Sequence, residues 1–277
     1  MTREWWWLPT ADKSCRLWVQ EFGKGKPVVW LHGGSGHDCE YLVSAHEGIP
    51  GRHILYCQRG SFHSPAPIES ITAQAHIDDL ESLRLTLGVE RLTIVGHSWG
   101  TMLAMLYLAA HPTRVGPLVL AGVLPTQRPF DLDWEAAKAF AERPEVDMQI
   151  RAEGLDDKAT DPHGSSLVGR IREAGRKMFH IERWRQDWPG RYNVEVAQAT
   201  DDTLAPYDFT EALVKHPFHI TIVQGEYDYT DMGAHRAKTQ FGSISGASVH
   251  VIPNAGHDVW IDEPAVFRAI VERAIAG

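Results

Sequence analysis

Polar and apolar positions along the chain change period repeatedly, and the changes order themselves as strand, helix, strand. Strand-like stretches fall at Arg16–Phe22, Pro27–Leu31, His53–Cys57 and Leu92–Val95. Before the last of these, Thr72–Leu87 is polar overall but places Ala75, Ile77, Leu80, Leu83 and Leu87 on one face at spacings of three and four. That spacing predicts an amphipathic helix, and Gly88 supplies its stop. Thr101–Ala110 is apolar and rich in helix formers, Pro112 ends it, and Val115–Val123 gives a further buried strand with no polar residue, as parallel sheets prefer. From Pro125 to about Tyr207 the pattern breaks. No strong strand run occurs there, and Trp134–Arg143 and Ser166–Arg185 are charged helical segments. Strand signals resume at Phe218–Val223 and Ser248–Ile252, and a last amphipathic helix follows Pro264. The alternation predicts an α/β fold, a mostly parallel sheet flanked by helices, with a core of residues 1–124 and 208–277 and a helical cap inserted at 125–207. Trp5-Trp6-Trp7 alternates poorly and reads as a half-buried edge strand or a partner-contacting patch.

Composition narrows the partners. The 277 residues suit one large domain, and 27 basic against 36 acidic residues give a net charge of −9, with no basic footprint for nucleic acid or an anionic membrane. The N-terminus lacks the apolar stretch of a secretory signal, and the Val115–Leu124 run is too short to span a bilayer, so a soluble cytoplasmic protein is expected. Cys15, Cys39 and Cys57 are sparse, odd in number and without Cys-x-x-Cys spacing, which predicts ordinary thiols and neither a disulfide framework nor a zinc site.

The chemistry-bearing motif is Gly96-His97-Ser98-Trp99-Gly100, directly after the Leu92–Val95 run and before the Thr101–Ala110 helix. With 24 glycines in the chain the spacing alone is weak evidence; strand, turn and helix in the required order give it weight. A serine hydroxyl is a poor nucleophile at neutral pH, so it must be held clear of its backbone beside a base and beside donors for an oxyanion. The glycines two residues either side of Ser98 allow the close backbone approach of such a turn.

A serine nucleophile needs a base, and the base an acid that fixes its tautomer. In open α/β sheets reactive groups gather past the carboxyl ends of strands. Asp228 lies just past the strand ending at Val223, and His257 lies past the strand ending at Ile252, within Asn254-Ala255-Gly256-His257-Asp258. Rivals fit less well: His97 points elsewhere on the turn, His250 falls inside a strand, Asp231 lies farther along its loop, and Asp258 and Asp262 crowd the histidine. For the oxyanion, the N–H of Trp99 and one from Leu31-His32-Gly33-Gly34-Ser35-Gly36 are expected, with Gly34 chosen over Gly33. A glycine-rich loop could instead cradle phosphate, but the Gly-Lys-Ser/Thr ending of a P-loop is missing.

These residues resemble the α/β-hydrolases of the prolyl iminopeptidase type. The matching stretches are Leu31-His32-Gly33-Gly34, Gln58-Arg59-Gly60, the helix with Asp79–Arg84 leading to Gly88, the elbow with Trp99, Gly225-Glu226-Tyr227-Asp228 and Ala255-Gly256-His257. They cover nearly the whole chain apart from the cap, and tryptophan after the nucleophile is the most telling of them. The resemblance implies the α/β-hydrolase fold with an inserted cap, a triad of Ser98, Asp228 and His257, and an oxyanion hole of Gly34 and Trp99. Two places depart from the family: Ser35 stands where proline is usual and Cys57 where aspartate is usual. Such peptidases bind the substrate's free amine with acidic side chains. Glu182 in the cap is a possible anchor, Glu226 or Asp231 a second, and Tyr229 follows the triad acid directly. Trp134, Trp184 and Trp188 either line a substrate pocket or pack the cap onto the sheet.

The expected activity is hydrolysis through an acyl-enzyme, on small peptides or amides in the manner of a prolyl aminopeptidase. An esterase or thioesterase acting on a small-molecule ester without a free-amine requirement is the alternative, and a non-catalytic ligand-binding protein of this fold a third. No metal or organic cofactor is called for.

Overall fold

Eight strands build the sheet in the order β1-β2-β4-β3-β5-β6-β7-β8, in a computed structural model that describes residues 3–128, 134–155, 162–186 and 192–276. Strand β1 (Arg3–Pro9) pairs antiparallel with β2 (Arg16–Gly23), and β2 antiparallel with β4 (Arg52–Tyr56). From β4 onward through β3 (Pro27–Leu31), β5 (Leu92–His97), β6 (Val115–Ala121), β7 (Ile220–Gly225) and β8 (Ala247–Ile252) every pairing is parallel.

The near-continuous apolar runs follow from this arrangement, because helices cover both faces of a parallel sheet. Val29, Leu31, Ile54, Ile94, Leu118, Leu120 and Ile222 enter one core, and their neighbours Val28, Trp30, Leu55, Val95, Val119, Ala121 and Val223 enter the other. Helix Ala73–Leu87 lays Ile77, Leu80 and Leu83 on the first face, beside helix Trp99–Ala110; helix Pro264–Ala276 covers the second with Phe267 and Val271. Helix Ala73–Leu87 starts where Thr72 Oγ1 accepts the Ala75 N–H and stops at Gly88, whose φ of 67° is left-handed.

At the edge, β1 is half-buried: Trp5 and Trp7 are exposed while Trp6 packs on the first core and Leu8 enters it. The alternation the sequence obscures, three tryptophans in a row, is set by the pleat. Between β6 and β7 lie helices Trp134–Ala141, Pro144–Ala152, Pro162–Lys177 and Val194–Asp202. Val146, Ile150, Val168, Ile171, Ile181 and Trp184 form a small core of their own there. The long helix expected over Ser166–Arg185 instead ends at Lys177, and a separate turn follows at Ile181–Arg183. Among the described residues no helix is long and apolar enough to cross a membrane.

Candidate active site

The sharp turn between β5 and helix Trp99–Ala110 puts Ser98 at φ 55° and ψ −122°, a conformation non-glycine residues rarely adopt. Close packing holds it there. Ser98 N–H donates to the Ala121 carbonyl at 3.0 Å, and a Cβ on Gly100 would lie 2.0 Å from the Leu31 carbonyl oxygen. Strand β3 thus passes directly behind the turn, which explains why that position is glycine.

Asp228 and His257 reach the same place from the loops after β7 and β8. His257 Nδ1 donates to Asp228 Oδ2 at 2.8 Å, and both side chains are fully buried. The other carboxylate oxygen accepts from the N–H and hydroxyl of Thr230, each at 2.8 Å. Burial alone would raise the Asp228 pKa, but the facing His257 and the Thr230 donors hold it below the ordinary value. With Nδ1 committed as donor, Nε2 of His257 keeps its lone pair, and it is buried with no hydrogen-bond partner. Gly122, which no motif singles out, makes room for this imidazole. A Cβ there would lie 2.8 Å from His257 Cε1 and Nδ1, and its φ is 55°. Its only sequence signal is a glycine immediately after β6.

The rival residues serve other ends. His97 is buried between Tyr41, whose hydroxyl is 2.8 Å from Nδ1, and Asp258, 3.4 Å from Nε2, and burial beside His257 holds its pKa well below the usual value. His250 lies in β8 against Ser248. Asp231 accepts the Arg236 and Ala237 N–H groups at the start of helix His235–Phe241. Asp262 accepts from Phe179 N–H, His180 N–H and Gly256 N–H, all at 2.8 Å, and so ties the segment after helix Pro162–Lys177 to the His257 loop.

Two amides, one on the elbow and one on the Leu31–Gly36 loop, have no acceptor among the described residues. Trp99 opens its helix, so its N–H has no intrahelical partner. Gly33 gives its N–H to the Tyr41 hydroxyl, whereas Gly34 N–H makes no hydrogen bond among the described residues. The motif residues around them form one scaffold. His32 Nε2 accepts Gln58 N–H at 2.9 Å while Nδ1 donates to the Gly33 carbonyl at 3.0 Å; Gln58 then accepts the Trp99 indole N–H at 2.8 Å and donates to the His32 carbonyl. Burial lowers the His32 pKa to about 4, which keeps this tautomer neutral. Arg59 is buried in a two-pronged pair with Asp79, both contacts 2.7 Å. Cys57, in the place of the family's aspartate, accepts Cys39 N–H at its sulfur; both are free thiols, buried, with sulfurs 2.7 Å apart.

The expected substrate contacts scatter. Tyr229 sets its ring edge-on to His257 with centroids 4.9 Å apart. Glu226 is exposed on its loop. Glu182 bonds His180 Nδ1 at 3.0 Å and, with Trp184, borders a surface groove of about 480 Å³ shared with Ser44, Arg183, Arg185, Trp260 and Ile261, none of them Ser98, Asp228 or His257. Trp184 turns most of its indole into the small cap core, where its apolar area is buried, and Trp134 is exposed. Trp188 lies outside the described residues. Two residues without a motif signal pack on the loops that carry Gly34 and Asp228. Tyr192 packs on His37 at 4.6 Å and against Gly34, and the Arg176 guanidinium lies 4.9 Å over the Tyr229 ring.

Among known proteins, the alpha/beta hydrolase fold family model matches residues 26–264. A proline iminopeptidase from Heyndrickxia coagulans is 34% identical over 267 residues, 91% of either chain. Another from Xylella fastidiosa strain Temecula1 is 38% identical over 129 residues, 45% of this chain and 41% of that one, so this chain spans less than half the length of such relatives. In three dimensions an esterase from Exiguobacterium antarcticum superposes with a TM-score of 0.69 at 21% identity, covering 98% of this chain and 99% of that one, a likeness of fold.

Proposed function

Because the chain belongs to the alpha/beta hydrolase fold family and, within it, to the proline iminopeptidase family, we propose that it is a serine hydrolase in which Ser98 is the nucleophile, His257 the base and Asp228 the residue that orients it. The observation that carries this reading is the 2.8 Å bond from His257 Nδ1 to buried Asp228, which leaves Nε2 as the unpartnered nitrogen beside the Ser98 turn. His257 Nε2 takes the Ser98 proton as Oγ attacks the substrate carbonyl carbon. The Gly34 and Trp99 N–H groups receive the oxyanion, a contribution of about 3 kcal/mol for each such donor. Collapse breaks the carbonyl's bond to its leaving group, which takes the proton from His257 and departs, leaving an ester on Ser98. Water then gives a proton to His257 and attacks that ester, and the proton returns to Ser98 as the acid is released. Residues 125–207 act as the cap over this site.

The relatives are named proline iminopeptidases, which supports the amino-terminal proline bond of a small peptide or amide as substrate. A second reading, an ester or amide without a free amine, is favoured by one observation. Of the three candidate amine anchors, Glu182 lies on a separate groove, Glu226 points to solvent and Asp231 is spent capping a helix. Turnover of prolyl p-nitroanilide, its N-acetyl form and p-nitrophenyl acetate separates the two. Loss of the acetylated arylamide alone supports the aminopeptidase, and equal turnover of both arylamides supports the second reading. Failure of a fluorophosphonate to label Ser98 overturns both.

A further inference from the structure

Against the ring that follows Asp228 in the chain stands a cation, Arg176. Helix Pro162–Lys177 ends against the His257 loop, where the Lys177 carbonyl accepts the Asp258 N–H at 3.1 Å, and brings Glu173, Arg176 and Lys177 together, one carboxylate against two cations. Glu173 is bonded to Arg176 Nη2 at 2.6 Å and to Lys177 Nζ at 3.1 Å, and these two cations hold its pKa low against the burial that would raise it. Asp228 and Asp262 are buried and bonded to His257 and to three amides, while Asp258, beside His97, feels the charge of Lys177, so Lys177 is shared between Glu173 and Asp258.

Arg176 is the cation set for a ligand. Its guanidinium lies 4.9 Å over the Tyr229 ring, and that ring is 4.9 Å from the His257 ring. Burial raises the Tyr192 and Tyr229 phenols, and both also feel the opposing charges of Arg176 and Glu173. The cation therefore stacks on the ring that borders His257. Among the described residues only Nη2 has an acceptor. Nε is buried without an acceptor, Nη1 makes no hydrogen bond among the described residues, and 29% of the side chain is open to solvent. A planar cation with free donors, stacked on an aromatic face, matches a carboxylate far better than an ammonium.

We propose that Arg176 is a specificity-determining residue that binds a carboxylate of the substrate placed close to the scissile acyl bond. The inference rests on Ser98 as nucleophile. The carboxylate belongs either to the leaving group, as in a free dipeptide, or to the acyl group, as in a half-ester of a dicarboxylic acid.

Two substrate pairs test this: Pro-Ala against Pro-Ala amide, and p-nitrophenyl hemisuccinate against p-nitrophenyl butyrate. The measured quantity is the anionic-to-neutral ratio of kcat/KM within each pair. In the unmodified protein at least one ratio is expected to favour the anion by about tenfold or more, and the pair that does so identifies the source. Arg176→Met should lower that ratio by about tenfold, mainly through KM, with Arg176→Lys in between and Lys177→Met causing a much smaller change. A ratio near one in both pairs, or one that Arg176→Met leaves unchanged, overturns the proposal, as does an equal loss with Lys177→Met. Calorimetric titration of succinate and glycyl-alanine into Ser98→Ala protein, with and without Arg176→Met, reads the contact without chemistry. Binding that depends on Arg176 together with turnover that survives Ser98→Ala would sink the nucleophile and spare the arginine; no binding of either anion sinks the arginine.

Discussion

At the scale of single residues the site depends on a few atoms held in costly positions. Ser98→Ala and Asp228→Asn should each lower kcat on the best arylamide or ester by about 10⁴-fold or more, the first by removing the nucleophile and the second by releasing the His257 tautomer; a fall of under tenfold in either excludes the triad. Gly122→Ala tests a residue that touches no substrate. The new methyl would meet His257 at 2.8 Å on a backbone at φ 55°, so the imidazole must shift. A loss of about 10- to 100-fold in kcat is expected, larger than the change in stability accounts for, read by comparing kcat with the urea midpoint. Ser98, Asp228 and His257 are legible in the sequence because each lies a few residues past a recognisable strand. Gly122 is not, since its requirement comes from an imidazole 135 residues away in the chain.

Elements carry the next tier. Helix Ala73–Leu87 is legible from end to end, its apolar face and Gly88 stop being local signals, and its cap can be measured: Thr72→Ala should cost about 1 kcal/mol, seen as a lower urea midpoint with an unchanged slope. The Asp262 carboxylate joins two elements that no local signal connects, the segment after helix Pro162–Lys177 and the His257 loop. Asp262→Ala leaves three amides without acceptors, at about 1–3 kcal/mol for each that stays buried. The expected outcome is a marked fall in melting temperature together with lost turnover. If turnover survives at temperatures where the variant is folded, the clamp does not position His257. The broken helical pattern between β6 and β7 gave the sequence no such contacts to read. Charged helices with a small core leave their docking to side chains such as Phe140 and Phe179, which pack on Tyr227 beside the acid loop.

For the whole molecule, buried histidines set the response to acid. Burial lowers His32 and His46 to about 4 and His76 to about 3, against an unfolded value near 6.5. Each favours the neutral form in the folded state, so its contribution is complete above the unfolded value and is lost as pH falls through that window toward the folded value. Stability should therefore drop between about pH 6.5 and 4, at up to about 1.4 kcal/mol per pH unit for each histidine. Thermal melts across that range check it, with a flat profile as the contrary result and His76→Gln as a variant with a shallower slope. The sequence by itself determined the α/β class, the strand and helix order and the residues at strand ends, because apolar period and turn chemistry act over neighbours in the chain. Tertiary structure alone decided that β1 and β2 run antiparallel at one edge, that Glu182 and Trp184 border a groove that Ser98 does not line, and that Arg176 stacks on Tyr229. Those outcomes depend on how a weakly patterned cap packs against a distant sheet, a balance of long-range contacts on which local patterning is silent.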